Sequence, residues 1–427
     1  MLMPGDKSIS HRAAMFAALA DGITLIKNFS SSKDCAATLS CLEALGVTIE
    51  RKDNEVLVNG AGMDGLREPQ APLDCGNSGT TIRLLAGILA GQNFKSTLTG
   101  DDSLRSRPMQ RIIEPLRMMG ASISADDGRA PLVIHGQDGL NPISYELLLA
   151  SAQVKSCILL AGLSAEGRTE VIENQITRDH TERMLRSFGV QVETGKAERE
   201  GENARFAAIN GPARLTAGQV SIPGDISSAA YFIAAAALLP GSSLVIRDVG
   251  VNPTRAIFLK QLRELGLNVE ITGAREVNNE PVGEIRVQGS TQQPAKSDSP
   301  MTIRGLIVPQ LIDELPLLAV VGSQVAGGIE IRDAAELRVK ESDRIATTAL
   351  NLRAMGADVT EFDDGLHVAG PTRLHGTTID PRGDHRIAMA FTVAGLMAEG
   401  ETDISNHDCV GVSFPEFFEL LESVVER

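Results

Sequence analysis

The chain has 427 residues, which is too long for one ordinary hydrophobic core, so we expect two domains. Its 43% apolar and 22% charged residues are typical of a globular protein, and no apolar stretch is long enough to span a membrane. The net charge of −15 argues against a nucleic-acid-binding surface, and the absence of Trp argues against a base-stacking platform.

A short sequence module recurs along the chain. From its N-terminal to its C-terminal end, it predicts the end of an amphipathic helix, a Gly cap and then a strand. Its pattern is Leu-x-x-apolar-Gly-apolar-x-apolar, and the copies lie at residues 42–49, 116–123, 185–192, 262–269 and 352–359. Polar turns at 53–54, 126–128 and 363–365 follow three of the copies and predict β-hairpins. The repetition therefore predicts a chain built from similar α/β units.

A second module is an apolar, Ala-rich helix that ends in Gly and precedes a short strand. Six copies, spaced by roughly 70 to 90 residues, end near Gly22, Gly91, Gly167, Gly241, Gly328 and Gly400. The two modules alternate, so each unit contains two helices and several short strands. The longest spacing contains a polar stretch at residues 288–300, which we predict to be a loop or hairpin insertion.

Two similar Pro-Gly-Asp turns, at residues 4–6 and 223–225, divide the six units into two groups of three. Glycine permits unusual backbone angles, which suits a crossing between domains. We therefore predict an α/β protein of two domains, one formed by residues 6–222 and the other by 1–5 with 223–427. The active site is expected in the cleft between them.

The Ala-rich helices begin with similar polar turns, at residues 7–8, 76–80, 151–153, 225–228, 312–314 and 383–386. Helix capping alone would explain the Ser, Thr, Asn and Asp residues found there. A helix start also offers free N–H groups and a partial positive charge, which suit phosphate or carboxylate. Basic residues beside these turns favour anion binding, namely Lys7, Arg12, Arg83, Arg105, Arg107, Lys155, Arg338, Lys340, Arg344 and Arg386.

Other kinds of site are less well supported. Residues 76–81 are Gly-rich but lack the Gly-Lys-Ser/Thr ending of a nucleotide-binding P-loop. The seven His residues include no His-x-x-x-His pair, so we predict no metal site, and we expect His11 and His385 to be packed and hydrogen-bonded. The charge run at 336–344 is typical of a solvated helix face, with Lys340 and Arg344 on one side.

Several of these segments resemble the motifs of the 5-enolpyruvylshikimate-3-phosphate synthase family. The first, residues 4–12, reads Pro-Gly-Asp-Lys-Ser-Ile-Ser-His-Arg, and others lie at 76–80, 107–109, 151–156, 223–229, 340–344 and 383–386. The resemblance runs from residue 3 to about 420. It implies an enolpyruvyl transferase-like inside-out α/β barrel, in which each of two domains has three α/β units about a pseudo-threefold axis.

The resemblance also implies an activity. The family transfers the enolpyruvyl group of phosphoenolpyruvate to the 5-hydroxyl of shikimate 3-phosphate and releases phosphate, in the shikimate pathway to chorismate and the aromatic amino acids. By position, the implied contacts to shikimate 3-phosphate are Lys7, Ser8, Arg12, Ser151, Ala152, Gln153, Arg178, Asp313 and Lys340. The implied contacts to phosphoenolpyruvate are Lys7, Asn77, Gly79, Arg107, Gln153, Arg344 and Arg386.

The chemistry fits the residue types at these positions. Asp313 is the expected base on the 5-hydroxyl, and Glu341 or Lys7 is the expected proton donor to the enol methylene.

No metal or organic cofactor is implied. The partners are then two small-molecule substrates, without nucleic acid or membrane, and the protein is expected to be a monomer. Five cysteines without metal-ligand spacing predict reduced thiols and a cytoplasmic location.

The chain departs from the family pattern in two places. Family members usually carry a longer segment before the Pro-Gly motif, which forms a strand of the second domain, whereas only three residues precede Pro4 here. We therefore expect an altered edge in the second domain. Val412 stands where some members have a lysine near phosphoenolpyruvate and others have a threonine, so we assign it no role.

Two alternative functions are less well supported by the sequence. An enolpyruvyl transferase acting on a UDP-amino sugar would share the fold and the donor, but that family carries a catalytic Cys in a loop corresponding to residues 101–108, which contain none here. A non-catalytic phosphate-ligand-binding protein would keep the repeats and lose the chemistry. The presence of Lys7, Asp313 and Glu341 favours an enzyme.

Overall fold

The chain folds as two units in the computed structural model, which describes residues 1–137, 139–197, 204–289 and 299–425. The N-terminal unit consists of Pro4–Pro223 with Glu276–Glu280, and the C-terminal unit of Met1–Met3, Gly224–Arg275 and Pro281–Arg427. These units differ from the predicted domains at both chain crossings and at residues 276–280. Of the insertion predicted at 288–300, residues 290–298 lie outside the described part of the chain.

Side-chain contacts explain why residues 276–280 belong to the N-terminal unit. Asn278 and Asn279 form the turn of a hairpin, with left-handed φ angles of 50° and 61°. Asn278 Oδ1 accepts a hydrogen bond from Ser221 N at 2.9 Å, and Asn279 O accepts one from Arg183 Nη1 at 2.8 Å. These partners are 57 and 96 positions away in the chain. Local sequence patterns therefore did not indicate them.

Three Ala-rich helices form the centre of the N-terminal unit. The helices among its described residues are α1 (Lys7–Leu19), α2 (Lys33–Ala44), α3 (Gly79–Ala90), α4 (Asp102–Ser106), α5 (Gln110–Met118), α6 (Ala152–Gly162) and α7 (His180–Ser187). The Ala-rich helices are α1, α3 and α6, and α3 packs against both α1 and α6. They are buried over almost their whole length, as expected for helices that are apolar on all sides.

The strands of this unit repeat one pattern. They are β1 (Ala20–Lys27), β2 (Thr48–Lys52), β3 (Glu55–Ala61), β4 (Leu73–Asp74), β5 (Ser96–Thr99), β6 (Ser122–Asp126), β7 (Arg129–His135), β8 (Ser144–Glu146), β9 (Gly167–Glu173), β10 (Val192–Lys196), β11 (Arg205–Gly211), β12 (Leu215–Thr216) and β13 (Gln219–Ser221). Each sheet combines parallel pairing at one edge with an antiparallel hairpin.

The pattern is visible in three sheets of the described residues. In the first, β12 and β13 pair in parallel with β1, which continues antiparallel to β3 and β2. The others have the orders β4-β5-β7-β6 and β8-β9-β11-β10. The registers place apolar residues opposite each other, as in Ile123 opposite Ile134 and Val171 opposite Ala207. One face of each sheet thus packs on the central helices.

The C-terminal unit has a related set of elements. Its helices among the described residues are α8 (Ile226–Leu238), α9 (Ile257–Glu264), α10 (Val308–Leu311), α11 (Leu315–Gly322), α12 (Arg344–Ala354), α13 (His385–Met397) and α14 (Phe417–Val424). Its strands there are β14 (Ser243–Gly250), β15 (Asn268–Val277), β16 (Glu280–Gln288), β17 (Met301–Ile303), β18 (Ile329–Ile331), β19 (Val359–Phe362), β20 (Gly365–Val368), β21 (Thr378–Ile379) and β22 (Asp403–Ile404).

The sheets of this unit follow the orders β14-β16-β15, β17-β18-β20-β19 and β21-β22 in the described ranges. The first residues of the chain lie beside β14. Leu2 pairs in parallel with Arg247, Arg247 N donates to Met1 O at 3.0 Å, and the side chain of Met3 is buried in the core. Residues 1–3 therefore occupy the edge of this sheet.

Capping bonds begin most of the Ala-rich helices, as the polar turns predict. Side-chain oxygens of Asp6, Ser78, Ser151, Asp225 and Asp384 accept bonds from backbone N–H groups of the following turn. The turn at 312–314 differs, because the Glu314 carboxylate instead accepts a hydrogen bond from Ser227 Oγ of α8.

In the described residues, no single helix is long and apolar enough to cross a membrane. The helical segments Gly305–Leu311 and Leu315–Gly322 reach the required length only together, and they are separated by a bend of 107°.

Candidate active site

The start of α1 carries the first of the predicted site residues. Lys7 is the first residue of this helix, and its Nζ lies 2.9 Å from Asp34 Oδ2. Just before it, the backbone at Gly5 passes so close to Asn28 that a Cβ on residue 5 would lie 1.7 Å from the Asn28 carbonyl oxygen. Only glycine fits such an approach. The entry to α1 is therefore held in place, and Asp34 orients the Lys7 ammonium group.

Arg12 joins three helices of the N-terminal unit. Its Nε donates to Thr181 Oγ1 at 2.7 Å, its Nη2 to Ser156 Oγ at 2.9 Å and its Nη1 to Ser8 O at 2.8 Å. The residue is 3% exposed. Burial lowers the pKa of Arg12 to about 10, against the opposing effect of Glu182, so the guanidinium stays charged at neutral pH. Arg12 thereby fixes Ser8 relative to α6 and α7.

His11, beside Arg12, is buried and hydrogen-bonded, which confirms its predicted packing. Its Nδ1 lies 2.6 Å from Thr38 Oγ1, which in turn lies 2.7 Å from Thr81 Oγ1. Burial, with smaller contributions from Lys7 and Arg12, holds the pKa of His11 well below 6.5. His11 is therefore neutral in the folded protein near pH 7.

We expect the stability of the protein to fall as pH decreases below 6.5, because His11 takes up a proton in the unfolded chain but not in the folded one. The unfolded state then binds more protons, which favours unfolding by about 1.4 kcal/mol per pH unit until the folded pKa is reached. Denaturant unfolding at several pH values between about 7.5 and 5 measures this slope.

His11→Asn keeps a polar group near Thr38 and removes the titration, so we expect a smaller slope in this variant. His135→Asn is the control, since His135 is exposed. A slope that is the same in the wild type and in His11→Asn would contradict the assignment to His11.

The start of α3 and the following loop bring together Asn77, Gly79 and Arg107. Arg107 Nη2 donates to Asn77 Oδ1 at 2.7 Å, and Asn77 Nδ2 donates to Asp101 Oδ2 at 2.8 Å. A Cβ on Gly79 would lie 2.9 Å from Arg83 Nη1 and 3.4 Å from Arg107 Nη1. Two guanidinium groups therefore converge on Gly79 at the start of the helix, where an anion is favoured.

The start of α6 is tied to the same place by Gln153. Its Oε1 accepts a hydrogen bond from Arg83 Nη1 at 2.6 Å, and its Nε2 donates to Thr80 Oγ1 at 3.0 Å. Ser151 caps α6, and Ala152 is its first residue. Arg83 is one of the basic residues beside the helix starts, but it is not among the predicted contacts to either substrate. A single charge within the apolar sequence of α3 was the available indication.

Arg178 lies in the loop between β9 and α7 and is partly buried. Lys155, three positions after Ala152 on α6, is enclosed by protein, although its place beside a helix start predicts a cation available for anion binding. Its side chain is 1% exposed, and its Nζ lies 3.1 Å from Glu173 Oε2 and 2.8 Å from Glu182 Oε1. These two carboxylates instead make Lys155 part of the protein interior.

In the C-terminal unit, an ionic cluster surrounds Arg344, the first residue of α12. Its side chain is 2% exposed and lies 2.8 Å from Asp384 Oδ2, 2.5 Å from Glu341 Oε2 and 3.5 Å from Asp313 Oδ1. Arg386 Nη2 lies 3.9 Å from Asp313 Oδ2. Burial alone would lower the pKa of Arg344, but Asp384, Glu341 and Asp313 outweigh it and raise the pKa. The cluster thus joins four predicted site residues.

Asp384 binds Arg344 within this cluster and is fully buried. One carboxylate oxygen accepts from Arg344 Nε and Ser342 Oγ, and the other from Arg386 N at 2.9 Å. It therefore caps α13 and binds Arg344 at once. The sequence indicated only the cap, because the partner lies 40 positions away.

Lys340 stands at the edge of this cluster. Its Nζ lies 2.9 Å from Glu336 Oε1, and its side chain is 25% exposed. The predicted shared helix face of Lys340 and Arg344 is wrong, because a 3₁₀ helix ends at Val339 and α12 begins at Arg344. Lys340 therefore remains near the surface while Arg344 is buried.

The predicted site residues are divided between the two units. In the N-terminal unit these are Lys7, Ser8, Arg12, Asn77, Gly79, Arg107, Ser151, Ala152, Gln153 and Arg178. In the C-terminal unit they are Asp313, Lys340, Glu341, Arg344 and Arg386. The described ranges contain no cluster of His, Cys, Asp and Glu suited to hold a metal ion. Both sets are rich in cations, which suits anionic ligands.

Comparison with known proteins places the chain in a family. A family model described as EPSP synthase (3-phosphoshikimate 1-carboxyvinyltransferase) matches residues 1–421. The chain is 51% identical over 424 residues to the 3-phosphoshikimate 1-carboxyvinyltransferase of Koribacter versatilis (strain Ellin345), covering 99% of this chain and 96% of that protein. It is 48% identical to the protein of the same name in Geobacter sp. (strain M21), covering 100% and 96%.

Solved structures agree with this placement. The EPSP synthase of Acinetobacter baumannii is 42% identical and has a TM-score of 0.85, with 99% of this chain and 95% of that chain covered. The enolpyruvyl transferase NikO of Streptomyces tendae, at 20% identity and a TM-score of 0.75 over 99% of this chain and 94% of that chain, shares the fold. The predicted enolpyruvyl transferase-like α/β fold is confirmed, and the chain belongs to the EPSP synthase family.

Proposed function

We propose that the protein transfers the enolpyruvyl group of phosphoenolpyruvate to the 5-hydroxyl of shikimate 3-phosphate and releases phosphate. The observation that carries this proposal is the match to the EPSP synthase family over residues 1–421, with relatives of about 50% identity named 3-phosphoshikimate 1-carboxyvinyltransferase. The reaction belongs to the shikimate pathway of aromatic amino acid biosynthesis. Both sets of predicted site residues are proposed to serve this one reaction.

Shikimate 3-phosphate is proposed to bind chiefly to the N-terminal unit. The contacts are assigned to Lys7, Ser8, Arg12, Ser151, Ala152, Gln153 and Arg178, with Asp313 and Lys340 holding ring hydroxyls. Hydrogen bonds from Arg12 to Ser8 and to α6 support this grouping, since they hold the starts of α1 and α6 in one arrangement. The charge of Arg178 suits the 3-phosphate.

Phosphoenolpyruvate is proposed to bind to Lys7, Asn77, Gly79, Arg107, Gln153, Arg344 and Arg386. The substrate carries a carboxylate and a phosphate, so several cations are needed to neutralise it. The close approach of Arg83 and Arg107 to Gly79 supports an anion subsite there, and the absence of a side chain on residue 79 leaves it open. Arg344 and Arg386 supply two more guanidinium groups.

The proposed chemistry is an addition followed by an elimination. Asp313, held between Arg344 and Arg386, accepts the proton of the 5-hydroxyl as this oxygen attacks C2 of phosphoenolpyruvate. Glu341 or Lys7 donates a proton to the methylene carbon. Loss of a methyl proton then breaks the C2–O bond to phosphate, which restores the enol ether and releases phosphate. The surrounding cations stabilise the dense negative charge of the intermediate.

Further features complete the proposal. We place the protein in the cytoplasm as a monomer, acting without a metal or organic cofactor and without nucleic-acid or membrane partners. The five cysteines are all free thiols, which supports a reducing compartment.

We expect phosphate release only when shikimate 3-phosphate and phosphoenolpyruvate are supplied together. The measurement is release of inorganic phosphate from the purified protein with both substrates and with each alone. UDP-N-acetylglucosamine in place of shikimate 3-phosphate is the control for the related transferase. Folded protein that releases no phosphate from the pair, or that prefers the UDP-sugar, would contradict the proposed function.

A further inference from the structure

Lys155 is buried between two carboxylates on either side of the loop that carries Arg178. Its Nζ lies 3.1 Å from Glu173 Oε2, at the end of β9, and 2.8 Å from Glu182 Oε1, in the first turn of α7. The side chains of the two carboxylates are 9% and 4% exposed. One ammonium group therefore holds both ends of the segment between Glu173 and Glu182.

The bonds of Glu173 lead directly to the residue before Arg178. Besides Lys155, Glu173 Oε2 accepts hydrogen bonds from Thr177 Oγ1 at 2.6 Å and from Thr177 N at 3.2 Å. Thr177 is itself buried. The backbone that leads into Arg178 is thus fixed to Glu173, and through Lys155 to α6.

Polar contacts also hold the other end of the segment, just before Glu182. Thr181, next to Glu182, accepts a hydrogen bond from Arg12 Nε and lies 2.6 Å from Ser156 Oγ. His180 Nδ1 lies 2.7 Å from Glu280 Oε1. Although burial alone would lower the pKa of Lys155, Glu182 and Glu173 outweigh it and raise the pKa, so the ammonium group stays charged.

We propose that Lys155, with Glu173 and Glu182, is a positioning device that sets Arg178 at the correct place relative to the start of α6, and so determines affinity for the phosphate group of the acceptor substrate. Lys155 lies two residues after Gln153 on α6, so it joins the helix that carries Ser151, Ala152 and Gln153 to the loop that carries Arg178. The inference rests on the proposed function, in which Arg178 binds the 3-phosphate.

A buried ion triad is not needed for folding alone, because apolar residues of similar size often replace such groups without loss of stability. Its charges do fix geometry, since the carboxylates can accept from Lys155 and Thr177 in only a narrow range of positions. A function that requires one arrangement of a loop arginine explains the triad better than stability does.

The test uses steady-state kinetics on the full-length protein. Lys155→Met is expected to raise KM for shikimate 3-phosphate by about tenfold or more, the size of effect that supporting residues have on a site they orient. KM for phosphoenolpyruvate should change by less than about threefold. Binding of unphosphorylated shikimate should be unaffected, because it has no group for Arg178 to hold.

Two further variants separate positioning from stability. Glu173→Gln keeps the size of the side chain and leaves Lys155 paired with Glu182, so it is expected to fold and still to raise KM for shikimate 3-phosphate. Leu185→Ala is the matched control, because Leu185 is a fully buried residue of α7 whose truncation lowers the melting temperature without altering a charge. An equal rise of this KM in Leu185→Ala would overturn the proposal.

A double-mutant cycle with Arg178→Ala completes the test. If Lys155 acts through Arg178, Lys155→Met has no further effect on KM for shikimate 3-phosphate in the Arg178→Ala background. A persisting effect there, or an equal rise of KM for both substrates, overturns the positioning role. An unchanged KM in Arg178→Ala alone instead overturns the proposed function of Arg178, so the two failures can be told apart.

Discussion

Lys7→Met is expected to lower turnover by about 10³-fold, because Lys7 is proposed to contact both substrates and to be one of two candidates that donate a proton. Methionine keeps the length of the side chain and removes the charge. Asp34, which now lies 2.9 Å from Lys7 Nζ, would then face the site without this cation. We expect the loss to appear mainly in kcat, since the charge acts on the intermediate more than on the free substrates.

Stability should change little in this variant. Lys7 is partly exposed at a helix start, and its partner Asp34, although buried, lies in the first turn of α2, where the partial positive charge of the helix start still favours a carboxylate. Lys33→Met is the matched control, because Lys33 is an exposed lysine next to Asp34. Phosphate release and thermal melting of both variants are the measurements. Undiminished turnover in Lys7→Met would remove Lys7 from the site, and a large fall in its melting temperature would assign it a structural role.

Arg344→Met is expected to reduce both activity and stability. Arg344 is 2% exposed, and it is the cation that Asp384, Glu341 and Asp313 share. Removing one partner of a buried ion pair typically costs about 3–5 kcal/mol, because the remaining charges stay desolvated. The loss of a guanidinium should also weaken binding of phosphoenolpyruvate. Denaturant unfolding and KM for phosphoenolpyruvate are the two measurements.

The control for Arg344→Met comes from the same helix. Arg353 is half-exposed at the other end of α12 and bonds to the Val359 carbonyl, so Arg353→Met should cost less than about 1 kcal/mol and leave KM unchanged. A second variant, Arg344→Met with Asp384→Asn, should recover part of the lost stability, since it removes one of the unpaired charges. Equal stability of Arg344→Met and Arg353→Met would contradict the ionic cluster.

Much of the site was accessible from sequence because its residues lie in local motifs. Ser78, Ser151 and Asp384 cap their helices through bonds to backbone groups two or three positions ahead, and such bonds depend only on neighbouring residues. The hairpin turns at 53–54 and 126–128 likewise formed where polar residues interrupt alternating runs. The family motifs at these places then supplied the proposed roles.

Residues whose partners are distant in the chain were interpreted less well. Lys155 is one of the cations expected to favour anion binding, yet Glu173 and Glu182 enclose it. Arg83 is not among the predicted site residues, although it binds Gln153, 70 positions away. The predicted domain boundaries place the hairpin turn at Asn278 and Asn279 in the other domain. In each case the deciding contact joins segments that carry no shared local pattern.

The sequence by itself determined the repeated α/β units, the starts of the Ala-rich helices and the family, because periodicity, capping and motif spacing are properties of neighbouring residues. The tertiary structure alone decided which cations are enclosed by carboxylates, as Lys155 and Arg344 are, and which remain near the surface, as Lys340 does. Burial and ion pairing depend on how segments far apart in the chain pack together, and that packing determines whether a charge serves the interior or the ligand.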